Sequence, residues 1–264
     1  TLQPTNTVSV GSELSGIIKS VEVNYNDRVK IDQVLAILDT SKLEAQLTQS
    51  RAALESAVAK VSQTQATVLE TRAKLSQLHK VSELSSGKVP SRSEMDVAEA
   101  AFERAKADAS SAIASVSQSE AVLQSCETDM YKSVIRSPIS GVVLTRSIEP
   151  GQTVAASFQA PVLFTLAEDL KQMELHVNVD EADVGKVQEG QKATFSVSTH
   201  PNRTFEARIT QIRYASTTTS GVVTYETVLK VDNPDLLLRP GMTATADITV
   251  KKVENAILVP SAAL

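Results

Sequence analysis

The sequence predicts an elongated, multidomain α+β protein: a β-sandwich split by a long antiparallel helical hairpin, then a small β-barrel. Three observations carry that prediction. Glycine and proline are absent from residues 17–86 and 91–137 but frequent on both sides. Apolar residues recur every seven positions through both gaps. The β-like flanks also repeat one another at a distance of 125 residues.

The helices come first. Leu47, Leu54, Val61, Val68 and Leu75 form one heptad row. Met95, Phe102, Ala109, Val116, Leu123 and Met130 form another. A second row, Ala98, Ala105, Ala112, Ser119 and Cys126, is built of small residues. Sustained heptads predict a coiled coil. In an antiparallel pair the numbers of facing residues have a constant sum. Leu47 with Met130, Val61 with Val116, and Leu75 with Phe102 all give 177, whose midpoint falls inside Gly87-Lys88-Val89-Pro90. Seam and turn therefore agree on one hairpin, each arm about 60 Å long at ~1.5 Å per residue.

The flanks come next. A shift of 125 aligns Ser12 with Ser137, Ser15-Gly16 with Ser140-Gly141, Ile17-Ile18 with Val142-Val143, and Val29 with Val154. Two distant segments thus read as halves of one sandwich, whose ends the hairpin's ends bring together. Beyond it, Met173–Val179, Ala193–Val197, Phe205–Ile212, Thr224–Val231 and Met242–Val250 read as barrel strands. Turns are expected at Glu189-Gly190, His200-Pro201-Asn202, Asn233-Pro234 and Pro240-Gly241. Asp180–Val187 reads as a short helix. The division is 1–40 with 133–170 for the sandwich, 41–132 for the hairpin with its tip near 84–92, 171–252 for the barrel, and 253–264 for the start of a truncated further domain.

Composition narrows function. The net charge of -5 and the absence of any Lys/Arg cluster argue against a nucleic-acid partner. One cysteine, Cys126, makes no internal disulfide. His79, His176 and His200 lack a metal-ligand partner at i+3 or i+4 and read as ordinary surface residues. No phosphate loop or nucleophile elbow is present, so no catalytic, metal or cofactor residue is expected. No run of 18 apolar residues occurs. The strand-like start at Thr1 and the end at Leu264 suggest an excised soluble fragment that lacks an N-terminal anchor.

Several motifs carry a family resemblance. They are Val8-Ser9-Val10-Gly11-Ser12-Glu13-Leu14-Ser15-Gly16, Arg136-Ser137-Pro138-Ile139-Ser140-Gly141-Val142-Val143, Val179-Asp180-Glu181-Ala182-Asp183-Val184, and Leu238-Arg239-Pro240-Gly241-Met242-Thr243-Ala244. In this order and spacing the chain resembles membrane fusion proteins, also called periplasmic adaptors, and among them the MacA type. The resemblance implies a lipoyl-like sandwich and a membrane-proximal domain after residue 252. It implies a homo-oligomer, a hexamer in that family, in the periplasm and anchored to the inner membrane in the full-length protein. It implies two partners, an inner-membrane ABC transporter and a TolC-like outer-membrane channel, and no enzyme activity.

The resemblance also points to particular residues. Adaptors that dock to TolC-like channels carry Arg, then Leu four positions on, then Ser seven further; here these are Lys80, Leu84 and Ser91, with Asp96 beyond. Lysine lacks the planar fork of arginine, so the substitution bears on docking. The plainer reading is that Leu84 closes the hairpin and that Ser91, three before Glu94, caps the second helix. Phe158 and Gln159 stand where MacA-type sandwiches have a lumen-facing Gln-Gln gate loop; a ring of Phe158 could constrict a pore, and Phe158 could equally be core or loop cover. Other functions stay open: an adaptor for a proton-driven RND pump, a passive coiled-coil scaffold, or a lipoyl/biotinyl carrier modified at Lys42. A long helix follows Lys42, which argues for a first-turn solvent residue instead.

Overall fold

A computed structural model describes residues 1–156, 161–219 and 221–251. The strands before the hairpin are β1 (Leu2–Pro4), β2 (Thr7–Gly11), β3 (Gly16–Val21), β4 (Arg28–Val29) and β5 (Val34–Leu38). The hairpin is α1 (Ser41–Leu84) and α2 (Arg92–Lys132). Then come β6 (Val134–Arg136), β7 (Gly141–Arg146), β8 (Thr153–Val154) and β9 (Val162–Ala167). The last part holds β10 (Gln172–Asp180), α3 (Glu181–Val184), β11 (Lys192–Val197), β12 (His200–Thr219), β13 (Val222–Asp232) and β14 (Ala244–Ile248).

The two halves of the sandwich interlock. One sheet runs β2-β9-β7-β4 and the other β6-β5-β3-β8, so each contains strands from before and after the hairpin. The 125-residue repeat is visible bond by bond. Gly151 N–H donates to the Ile18 carbonyl, and Asn26 N–H donates to that of Val143. Ser12 Oγ donates to the Leu14 carbonyl as Ser137 Oγ does to that of Ile139. Asn26 and Gly151 share a positive φ, 65° and 85°. Between the sheets Ile18, Leu35, Leu38, Val143, Leu163, Phe164 and Leu166 are buried.

The helices pack with the expected register. Ser50 Oγ lies 3.3 Å from Cys126 Sγ, and Arg51 pairs with Glu127 at 3.6 Å. Those residue numbers sum to 176 and 178, either side of 177. The fully buried residues are the small ones: Ser50 and Thr64 on α1, and Ala98, Ala105, Ala112 and Cys126 on α2. The large heptad residues stay half-buried. A two-helix seam covers only what lies between the axes, so bulky side chains overhang it. Thr64 Oγ satisfies itself on the Lys60 and Val61 carbonyls. No described helix is long and apolar enough to cross a membrane.

The third sheet runs β1-β10-β13-β12-β11-β14. Its two edges meet where Leu2 N–H donates to the Met242 carbonyl and Gly241 N–H to that of Leu2. Leu2–Pro4 therefore belongs with this sheet, which corrects the assignment of all of 1–40 to the sandwich. Fully buried Leu2 explains it: the leucine fills the core with Met173, Leu175, Phe195 and Leu229. The turn placed at His200-Pro201-Asn202 is instead at Ser198-Thr199, because His200 pairs with Val197. Asp180 caps α3 through a bond from Ala182 N–H, so the acidic run is a helix start.

His176 is not an ordinary surface residue. Its side chain is 11% exposed, with Nδ1 at 2.6 Å from Glu226 and Nε2 at 3.6 Å from Glu174. Arg213 holds the other Glu226 oxygen at 2.6 Å. The hydrogen bond from His176, then the charges of Arg213 and His176, lower the Glu226 pKa against the opposing effect of burial. A lowered folded pKa adds stability above the unfolded value, about 4.3, that is lost as pH falls through the folded value. The variant E226Q is thus expected to unfold at lower temperature than the wild type at pH 7. The gap should close below pH 4, as thermal melts across pH would read. A constant gap would show that the carboxylate's charge contributes nothing.

Candidate functional site

The tip of the hairpin is built by local hydrogen bonding. Helix α1 ends at Leu84, and the chain then turns through Ser86 (φ 53°) and Gly87 (φ 81°). Gly87 N–H donates back to the Ser82 carbonyl. Ser85 ties the loop: its hydroxyl donates to the Val89 carbonyl at 2.6 Å and accepts from Val89 N–H at 3.1 Å. The sequence reading missed Ser85; a serine two positions before Gly87 was the available signal. Helix α2 then starts with a full capping box. Ser91 Oγ accepts from Glu94 N–H, and Glu94 Oε2 accepts from Ser91 N–H.

This geometry separates the two readings of the tip residues. Leu84 is 89% exposed, so it does not close the hairpin. Ser91 caps α2 as expected and also stays exposed. Lys80 projects from the last turns of α1, exposed. All three stand at the same end of the hairpin. Beside them, Val81, Val89 and Val97 are exposed as well. With Leu78, Pro90 and Ala101 they line a groove of ≈ 510 Å³. Leu84 and these valines together form an exposed apolar patch at the tip of the hairpin.

The opposite end of the hairpin is fixed to the sandwich. Lys132, at the end of α2, forms an ion pair with Glu13. The hydrogen bond to Glu13 and its charge raise the Lys132 pKa. Lys42 lies exposed in the first turn of α1, not on a tight turn between β5 and β6. Phe158 and Gln159 lie outside the described residues. Among the described residues no group of three or more His, Cys, Asp or Glu is placed to hold a metal ion.

A family model for the barrel-sandwich hybrid domain of RND membrane fusion proteins matches residues 6–166, and a CusB-like β-barrel model matches 175–252. The chain belongs to the membrane fusion protein family. Relatives of this adaptor include the macrolide export protein MacA of Escherichia coli O157:H7, 30% identical over 257 residues. That match covers 97% of this chain and 68% of the relative. The pyoverdine export membrane fusion protein PvdR of Pseudomonas putida is 28% identical, with 100% and 71% covered. Among solved structures, MacA from Actinobacillus actinomycetemcomitans superposes with a TM-score of 0.83 at 30% identity, covering 94% of this chain and 76% of that one. A chimera of MacA with the MexA α-hairpin gives a TM-score of 0.69 at 29% identity, covering 96% and 80%. The membrane fusion protein described here thus has the α+β architecture of MacA, with a long hairpin beside β-sheet domains.

Proposed function

We propose that this chain is the non-enzymatic periplasmic adaptor of a tripartite export pump, bridging an inner-membrane ABC transporter to a TolC-like outer-membrane channel. One observation carries the docking part: Leu84, a large apolar residue, stands 89% exposed at the end of a hairpin 44 residues long on its first arm. The relatives named for macrolide and pyoverdine export support the export role. In this reading six hairpins pack into a tube, and the lipoyl-like sandwiches line it with Phe158 and Gln159 at a gate. The full-length protein is anchored to the inner membrane. Lys80 supplies a point charge to the channel, Leu84 an apolar contact, and Ser91 a helix end whose hydroxyl Glu94 already engages. Because that hydroxyl is occupied, Leu84 carries more of the docking energy than Ser91.

The test is cross-linking. A cysteine placed by S91C is expected to form a cross-link with a cysteine at the periplasmic end of the channel in cells. The variant L84D is expected to abolish both the cross-link and export, since a buried apolar contact of this size contributes about 2 kcal/mol and an unpaired carboxylate there costs more. Export by L84D at the wild-type rate would remove the docking site. The second reading, a proton-driven RND partner, is favoured by the RND fusion-protein description of the matched family model. Purification of the full-length protein with its inner-membrane partner, followed by assay for ATP hydrolysis, separates the two.

A further inference from the structure

The outer face of the barrel carries a row of charges that the hairpin and its docking do not use. Strand register sets Lys192 opposite Arg208, and Arg208 opposite Lys230. Directly opposed residues share a face, with Cβ atoms about 4.5–5.5 Å apart. Three cations therefore stand side by side across β11, β12 and β13. Like charges so placed destabilise a sheet. Among the described residues none of the three forms an ion pair; the nearby pairs join Arg213 to Glu226 and His176 to Glu174. Glu174 is opposite Lys230 in the register, yet it lies against His176. The chain has a net charge of -5, so this row is not the overflow of a basic protein.

The three cations line one groove of ≈ 400 Å³ together with Thr194. Glu206 and Asp232 stand in the same groove, two residues along the chain from Arg208 and Lys230. We propose that this groove binds a compact phosphate-bearing anion. Three cationic groups and a hydroxyl offer more donors than the two oxygens of a carboxylate can accept, whereas a phosphate group presents three or four oxygens. Arg208 supplies a planar fork that fits two of them. Glu206 and Asp232 repel any anion that extends beyond the row, which excludes a long polyanion and selects a single head group.

The test uses the whole chain and two probes: inorganic phosphate, and phosphatidylcholine vesicles with or without phosphatidylglycerol. Wild-type protein is expected to bind at least one phosphate-bearing probe, and R208A to bind it about tenfold more weakly. R208K should retain part of the binding. Binding of inorganic phosphate identifies a free-phosphate site; binding only to phosphatidylglycerol vesicles identifies a lipid head group. The triple variant K192A/R208A/K230A, in phosphate-free buffer, should melt at the wild-type temperature or above it, because repulsion has been removed. Binding of neither probe, equal binding by the triple variant, or equal binding of a poly-glutamate peptide would overturn the proposal. So would a lower melting temperature of the triple variant, since the row would then be held by the protein's own carboxylates.

Discussion

Alanine at Gly141 is expected to destabilise the sandwich strongly, while alanine at Gly16, its counterpart in the other half, is expected to be nearly silent. The two glycines are 125 residues apart and open equivalent strands, β7 and β3. A Cβ on Gly141 would lie 2.0 Å from the carbonyl oxygen of Ala167 and 2.9 Å from its carbon. Both are backbone atoms of β9, so no side chain can rotate away. Relief requires β7 and β9 to part, and with them the pairing of Val142 with Ala167. A Cβ on Gly16 would meet only the Leu38 side chain, at 3.7 Å and beyond, an ordinary contact. Overpacking that backbone cannot relieve costs at least about 3 kcal/mol. In a domain as small as the sandwich that lowers the melting temperature by roughly 12–24 °C. Thermal unfolding of the two variants reads it. Equal stability of G141A and G16A would show that the closeness of β7 and β9 is not a constraint on the fold.

The contrast also shows how far the sequence could be read. The repeat was legible because Ser-Gly followed by two β-branched residues occurs twice, and both copies make the same turns. What differs between Gly16 and Gly141 is the strand that passes over each, and no local pattern records that. The hairpin was legible for a related reason: heptad spacing and turn chemistry are both short-range. Residues that meet from distant strands were not. Leu2 fills a core whose other members begin at Met173, and a three-residue strand leaves no periodicity to detect. His176, Glu226 and Arg213 come from three strands, and the β-bulges in β12 between Ile212 and Ser216 set their register. Pro201-Asn202 has turn composition, yet the chain turns three residues earlier, at Ser198-Thr199. At the tip the residue types were legible, but the exposure of Leu84 was not. It follows from Ser85 closing the loop in its place.

Removing the Asn233 side chain is expected to uncouple the barrel from its connection to the sandwich. Asn233 is 3% exposed and makes three side-chain bonds to backbone. Nδ2 donates to the carbonyls of Leu170 at 2.8 Å and Leu238 at 2.9 Å, and Oδ1 accepts from Leu238 N–H at 3.0 Å. Leu170 lies in the link between β9 and β10, and Leu238 in the link between β13 and β14. One amide thus joins two connections that would otherwise be held by the Asn233 N–H bond to Lys171. N233A leaves a buried N–H and two carbonyls without partners. At about 1–3 kcal/mol for each group left unsatisfied, and with water reaching some of them, the loss is about 3–5 kcal/mol. N233D should be no better at neutral pH. A carboxylate can still accept from Leu238 N–H, but it faces two carbonyl oxygens with nothing to donate. Hydrogen exchange should then rise first at Leu238 and along residues 168–171 in either variant, with the amides of the sandwich core protected as before. Protection of residues 168–171 unchanged in N233A would mean that the link is held by the barrel edge at Leu2 and not by this amide.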